Sequence, residues 1–305
     1  MTTTAATNRY ARDWNGYSEH WDRGYGQRYR HLGDEWNDDG TAGRNRDELY
    51  FTMYAKRFLR PDMTVLEVGP GGGKWTVRMA PHVKKLIVID VAEEMLRRTR
   101  ERCEGMGIHN VEYLHASGQD FKPVADGSVD LFFSYDVFVH IALEDTFPYA
   151  AEIARVLKPG AVSVCHYAVG NRADSFGRIE AHNDWYRGQE HTLGQYYYFS
   201  PETLTRMYEH VGLRTFELHQ EWCYCTVLAT KSADTLVAPL EQALRAALAS
   251  PPGSDDRLRA VGAIGELPEQ LRARLQRPLA QLRESSGGTA TSELVQEIRR
   301  IWRGV

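Results

Sequence analysis

Five short apolar runs punctuate the middle of the chain: Val65 to Val68, Leu86 to Ile89, Val111 to Leu114, Val129 to Ser134 and Val162 to Tyr167. Each is too short for a helix and is rich in β-branched or aromatic residues, so each predicts a strand. Helix-period segments lie between them, and such alternation predicts a parallel sheet covered on both faces. Two further runs, Arg214 to His219 and Trp222 to Thr230, are almost contiguous and predict an antiparallel hairpin. The fold class expected is therefore α/β, with a doubly wound, mostly parallel seven-stranded sheet.

The flanks read differently. Residues 1–60 are dense in aromatic and charged side chains, among them Tyr10, Trp14, Tyr17, Trp21, Tyr25, Tyr29, Trp36, Asp34, Glu35, Asp38 and Asp39, and predict an N-terminal helical cap. The sheet domain spans 61–231, with an aromatic insertion at 169–200 that includes Asn171, Arg172, His182, Asp184, Trp185, Tyr186, His191, Tyr196, Tyr197 and Tyr198. Long insertions at the carboxyl end of a strand usually serve function, so this one is expected to be a substrate lid. From 232 to 305 a helical extension is predicted: Leu236, Leu240, Leu244 and Leu248 share one helical face, and Leu294, Ile298, Ile301 and Trp302 another.

Composition narrows the function. A length of 305 residues exceeds what one α/β sheet domain needs, consistent with additions to a single core. Net charge of -4 and a pI near 6.3 argue against the broad basic surface used for nucleic acid, so a small-molecule substrate is expected. No apolar run is long enough to cross a bilayer, and Met1 to Tyr10 lacks a signal sequence, which fits a cytoplasmic enzyme. Cys103, Cys165, Cys223 and Cys225 are too scattered for a disulfide framework or a zinc site, so they are expected as reduced thiols, and no metal site is expected.

The candidate chemistry begins where the first strand runs into Gly69-Pro70-Gly71-Gly72-Gly73. Glycines fall at Gly69, Gly71 and Gly73, preceded by Glu67, whereas a dinucleotide GxGxxG turn would need glycine at Lys74. The Glu67 carboxylate disfavours a pyrophosphate and favours a cationic amino group. Asp90 ends the second strand about 20 residues past the turn, where a nucleotide-binding α/β unit places its ribose-binding acid. The same residue could instead begin the next helix, since Asp90 to Glu93 has capping-box spacing.

At these residues the chain resembles the class I S-adenosylmethionine-dependent methyltransferases, over about Pro61 to Lys231. Later landmarks follow in the same order: Leu131 to Ser134 leads into Asp136 and His140, and Arg155 to Gly160 is similar to the helix and turn before the fifth strand. The resemblance implies a Rossmann-like fold, S-adenosyl-L-methionine as cofactor, and cofactor contacts from Glu67, Gly69, Gly71, Gly73, Asp90 and Ser134. It implies an adenine contact in the loop after the third strand, where Ser117, Gly118 and Asp120 stand in place of the usual acid followed by a small residue. Ser134 and Tyr135 depart from the Asn-Pro-Pro-Tyr motif of nucleic-acid amino methyltransferases.

Ligands of open α/β sheets bind beyond the carboxyl ends of the strands, which makes Asp136, His140 and His166 the catalytic candidates. Methyl transfer from a sulfonium is a displacement governed largely by positioning, and an alcohol acceptor must also lose its proton. Histidine titrates near neutrality and can take that proton. Asp136 to His140, with a histidine late in the fifth strand, looks like methyltransferases of glycosyl groups and glycosylated natural products. The reading is therefore O-methylation of a small polar metabolite. N-methylation of an aminosugar, held by the acidic cap, is the alternative; a non-catalytic cofactor-binding partner and a nicotinamide-dependent oxidoreductase are the readings from other classes. A homodimer through the extension is left open.

Overall fold

Strand β1 (Thr64–Val68) occupies the middle of the sheet because nearly every side chain on it is buried, and a strand buried on both faces needs neighbours on both edges. It pairs in parallel with β2 (Lys85–Asp90) and with β4 (Val129–Ser134). With β3 (Val111–His115), β5 (Leu157–Val169), β7 (Arg214–Glu221) and β8 (Tyr224–Thr230) the order is β3-β2-β1-β4-β5-β8-β7. Only β8 runs antiparallel to both its neighbours. The computed structural model describes residues 9–35, 46–118, 120–186, 195–231, 247–257, 269–284, 291 and 293–298.

The period of two sorts the core. Leu66, Val68, Ile87, Ile89 and Phe132 face one apolar layer, and Val65, Leu86, Val88, Leu131 and Phe133 the other. Helices cover both faces, among them α3 (Thr76–Met79), α4 (Glu93–Gly105), α5 (Leu143–Val156) and α7 (Pro201–His210). Ahead of the sheet come α1 (Arg9–Arg23) and α2 (Arg46–Tyr50); α6 (Ala173–Tyr186) follows β5.

Two details differ from the sequence reading. The sheet has eight strands, not seven, because a two-residue strand, β6 (Tyr198–Phe199), pairs with Ala168 and Val169. It continues the line of β4, whose pairing with β5 ends at Ser134 and Cys165. Strand β5 also starts at Leu157, earlier than its apolar run, because Leu157 already pairs with Val129 before the register shifts past Gly160.

Residues Met1–Thr230 form one compact unit and Lys231–Val305 a second. In the second, α8 (Glu269–Glu284) is bound to the preceding segment by buried Arg257, whose Nε donates to the Leu282 carbonyl at 3.0 Å. Leu294 and Ile298 are buried and Leu248 is exposed; Leu236, Leu240, Leu244, Ile301 and Trp302 lie outside the described residues. The four cysteines are buried and free. Among the described residues no helix is long and apolar enough to cross a membrane.

Candidate functional site

The turn after β1 is tight because its glycines do what other residues cannot. Gly69, Gly71 and Gly73 have φ of 71°, 56° and 80°, the left-handed region that strains side-chain-bearing residues. At Gly69 a Cβ would also lie 2.3 Å from Cγ2 of Val137. At Gly72 it would lie 2.0 Å from the carbonyl oxygen of Leu32, so the segment around Leu32 and Gly33 crosses directly over the turn. Arg102 fastens that crossing: Nη1 donates to the Gly72 carbonyl at 3.3 Å and Nη2 pairs with Asp34 at 3.0 Å. Lys74, buried, pairs with Asp47 at 3.1 Å and so attaches α2 to the end of the turn.

Beside the turn a cavity opens at the carboxyl ends of β1, β2 and β4. Of the sequence candidates, Gly69, Gly71, Asp90 and Asp136 line it, and His140 and His166 do not. Tyr10 and Trp14 of α1 close it, with Met95, Ile141 and Tyr149 completing an otherwise apolar wall. Helix α1 is held there by polar contacts: the Tyr10 hydroxyl donates to Asp145 at 2.7 Å and accepts from the Ala142 amide at 3.2 Å, and Asn15 accepts from the Glu94 amide at 3.2 Å.

Asp90 is buried, and its Oδ1 accepts from the Ala92 amide at 2.8 Å. The N-cap of α4 is Ala92, so the capping box that is the alternative for Asp90 to Glu93 does not form. Burial pushes the Asp90 carboxyl up to about 7, against backbone donors that favour its ionised form. Glu67 does not line the cavity. Its Oε2 accepts from the Thr76 hydroxyl at 2.7 Å, while Oε1 is buried without a hydrogen-bond partner, and burial pushes this carboxyl up to about 8. Gly73, Ser134, Ser117 and Gly118 also lie outside the lining: Ser134 donates to the Val68 carbonyl at 2.9 Å, Gly118 is buried with φ 86°, and Ser117 is exposed. Asp120 pairs with Lys122 at 2.8 Å, and Gln119 lies outside the described residues.

The catalytic candidates converge around one aspartate. Asp136 has φ 59°, a left-handed conformation unusual for a non-glycine residue. Its Oδ1 stands 2.8 Å from Nδ1 of His166, off the direction of the ring N–H, so the contact is electrostatic and not an aligned hydrogen bond. Burial works to raise the Asp136 carboxyl, but His166, His140 and Lys74 together outweigh it and hold the group below its usual value. The His166 ring lies between Tyr135, stacked at 4.2 Å, and Tyr224 at 4.9 Å.

His140 sits on the next turn of chain, edge-on to Trp14 and to Tyr196, each at 5.1 Å. Its Nδ1 is 2.9 Å from the Gln195 carbonyl, which can only accept, so Nδ1 carries the proton and Nε2 is left with its lone pair. Burial lowers the pKa of His140, keeping the ring neutral. Among the described residues no three His, Cys, Asp or Glu side chains converge to hold a metal ion.

Sequence reasoning missed Met95, Ile141 and Tyr149 as wall residues. Nothing marks them as different from core residues along the chain, because only the tertiary arrangement opens a space beside them. In the acidic cap, which only the aminosugar alternative would use for an ammonium group, Asp34 pairs with Arg102, and Glu35 accepts from the Tyr17 hydroxyl and the Gly33 amide. Asp38, Asp39, Trp36 and His191 lie outside the described residues, as do the side chains of His182, Asp184, Trp185 and Tyr186.

A glycine turn with a buried acid at the next strand end and a cavity with no Lys or Arg among its described lining residues fits a nucleoside lacking phosphate. Residues 65–160 match the family described as "Methyltransferase domain". This segment is a class I methyltransferase domain, a class whose cofactor is S-adenosylmethionine. The chain is similar to the demethylmenaquinone methyltransferase of Geobacillus stearothermophilus, 30% identical over 106 residues that cover 33% of this chain and 43% of that protein. It is also similar to the tRNA 5-carboxymethoxyuridine methyltransferase of Escherichia coli (strain K12), 28% identical over 101 residues, 33% of this chain and 38% of that one. The chain thus spans about two fifths of the length of these curated relatives. Among solved structures, the [4+2]-cyclase SpnF shares the fold with a TM-score of 0.56 at 16% identity, over 73% of this chain and 94% of that one. The buried, partnerless Oε1 of Glu67 beside the turn and the Asp90 carboxylate in the cavity wall are the polar groups such a cofactor would need in an otherwise apolar site.

Proposed function

We propose that the chain transfers the methyl group of S-adenosylmethionine to a hydroxyl oxygen of a small polar acceptor, a sugar or glycosylated natural product. The observation that carries this is the state of His140: Nδ1 is committed to the Gln195 carbonyl, burial keeps the ring neutral, and Nε2 is free of a proton. A neutral imidazole with a fixed tautomer is a general base, which an alcohol acceptor needs and an amine does not. The cofactor supplies a methyl group on a cationic sulfur. Asp90 would hold its ribose hydroxyls, and Glu67, once ionised, would favour its ammonium group through the glycine turn.

With the methyl group delivered to the acceptor oxygen, Nε2 of His140 would take the hydroxyl proton. Asp136 would stabilise positive charge arriving on either imidazole, with His166 Nδ1 2.8 Å from its Oδ1. Asp34 and Glu35, each already engaged within the protein, weigh against an ammonium-bearing aminosugar as the acceptor. The relatives' names span tRNA and demethylmenaquinone and leave the acceptor to be found by experiment.

The test is a screen of hydroxylated sugars and glycosides with methyl-labelled S-adenosylmethionine, followed by single-turnover kinetics of His140→Ala. The rate of transfer should fall roughly 10²- to 10⁴-fold with S-adenosylhomocysteine affinity nearly unchanged. Near-parental transfer by this variant would remove His140 as the base. Because a cyclase shares the fold, cofactor-dependent change in the acceptor without methylation would overturn the reading itself.

A further inference from the structure

Tyr149 of α5 lines the cavity beside the glycine turn and is only 5% exposed. Its ring is seated by Phe121 at 5.5 Å and stands edge-on to Phe138 at 5.6 Å. Phenylalanine would make both contacts equally well, so the hydroxyl is surplus to the packing. Among the described residues that oxygen makes no hydrogen bond, yet it is not sealed from solvent-sized space in the way that Oε1 of Glu67 is. In a side chain so nearly buried, the space it reaches is the cavity. The neighbouring phenol of the wall is differently placed, since the Tyr10 hydroxyl already donates to Asp145 at 2.7 Å. Burial raises the Tyr149 phenol above its usual range, with Asp90, Tyr10, Asp145 and Asp120 adding to the effect, so it stays protonated and can donate.

We propose that the Tyr149 hydroxyl donates a hydrogen bond to a ring nitrogen of the cofactor's adenine, which makes it a side chain that reads the base. The inference rests on the cofactor of this class and on Asp90 as the ribose acid, and is independent of the acceptor. With Asp90 taking the ribose hydroxyls, the base is one glycosidic bond away and has the same cavity to occupy. Ile89, Met95 and Ile141 on its wall can cover a flat ring, but their side chains offer it no hydrogen bond. The loop after β3 supplies no partner from the lining either: Ser117, Gly118 and Asp120 stand outside it, and Asp120 is paired with Lys122 at 2.8 Å. Adenine N1, N3 and N7 are acceptors only, the complement of a protonated phenol. A hydroxyl left unpaired in a nearly buried side chain is a standing penalty, and a bound acceptor removes it.

The experiment reads binding and not turnover. S-adenosylhomocysteine and its 1-deaza, 3-deaza and 7-deaza analogues, each lacking one ring nitrogen, are titrated by calorimetry into the full-length parent and Tyr149→Phe. Phenylalanine keeps the contacts to Phe121 and Phe138, so the variant should melt with the parent in the absence of ligand. Tyr149→Phe should weaken S-adenosylhomocysteine roughly threefold to tenfold. In the parent one of the three analogues should lose a similar factor, and in Tyr149→Phe that analogue should bind as well as S-adenosylhomocysteine itself, which identifies the nitrogen. Equal affinity of parent and variant for S-adenosylhomocysteine, or analogue losses that are the same in both proteins, would overturn the role of Tyr149 while leaving the cofactor in place. Failure of the parent to bind S-adenosylhomocysteine would overturn it together with the methyltransferase reading.

Discussion

Glu67→Gln isolates the energetic consequence of burying a carboxyl group under the glycine turn. The parent side chain is 1% exposed, has one hydrogen bond from Thr76 and one oxygen without a partner, and its pKa is raised from 4.5 to about 8. The folded protein therefore holds a proton that the unfolded chain releases, and stability must fall as pH rises between those values. The contribution is complete below pH 4.5 and lost as pH climbs through about 8. At roughly 1.4 kcal/mol per pH unit, a rise of this size sets an upper bound of about 5 kcal/mol, and relaxation of the site brings the expected loss to about 2–5 kcal/mol. Glutamine keeps the neutral acid's shape and its acceptor for Thr76. Urea denaturation of the cofactor-free protein at pH 5, 7 and 9 should show the parent losing about 2–4 kcal/mol more than Glu67→Gln, since part of the change falls below pH 5. Asp90, raised to about 7, adds a loss of the same sign in both proteins, so the comparison cancels it to first order. Parallel stability curves for parent and variant would refute a buried, neutral Glu67.

Asp90→Ala removes an acid from the cavity wall and should weaken S-adenosylhomocysteine at least tenfold by calorimetry, since charge-assisted hydrogen bonds contribute about 1.5–3 kcal/mol; unchanged affinity with a lower melting temperature would leave Asp90 only its backbone role. Gly72→Ala drives a methyl group into the Leu32 carbonyl, so it should cost about 1–3 kcal/mol in urea denaturation and expose residues 31–35 to limited proteolysis. Trp14→Ala removes a ring shared by the cavity and His140, and should weaken S-adenosylhomocysteine and slow single-turnover transfer about tenfold or more, with Trp14→Phe recovering most of the rate.

The sheet was legible because each strand is an apolar run ended by a turn, and buried parallel strands are the simplest pattern to see. Asp90 and the glycines were legible for a related reason: their positions follow from the order of elements. Strand β6 was not, since two residues in an aromatic stretch carry no periodicity and are made a strand only by Ala168 and Val169 beside them. Alternation along β1 turns Glu67 to Thr76 and behind the cavity lining, a placement that the glycine pattern alone does not specify. The Asp136–His166 contact joins two strands whose register cannot be deduced from either segment alone.

The two residues of β6 give the molecule a separately meltable corner. Beyond the ladder to β5, the segment is tied down by the Tyr197 amide to the Val139 carbonyl at 2.9 Å and by the Gly170 amide to the Phe199 carbonyl at 3.0 Å. A two-residue ladder has fewer rungs to break than any of the seven longer strands, so local opening is expected there first. When it opens, Gln195 leaves with it, and His140 loses the group that fixes its tautomer. Amide hydrogen exchange at Tyr197 and Gly170 thus reads how often the contact that sets the His140 tautomer is lost while the rest of the sheet stays folded.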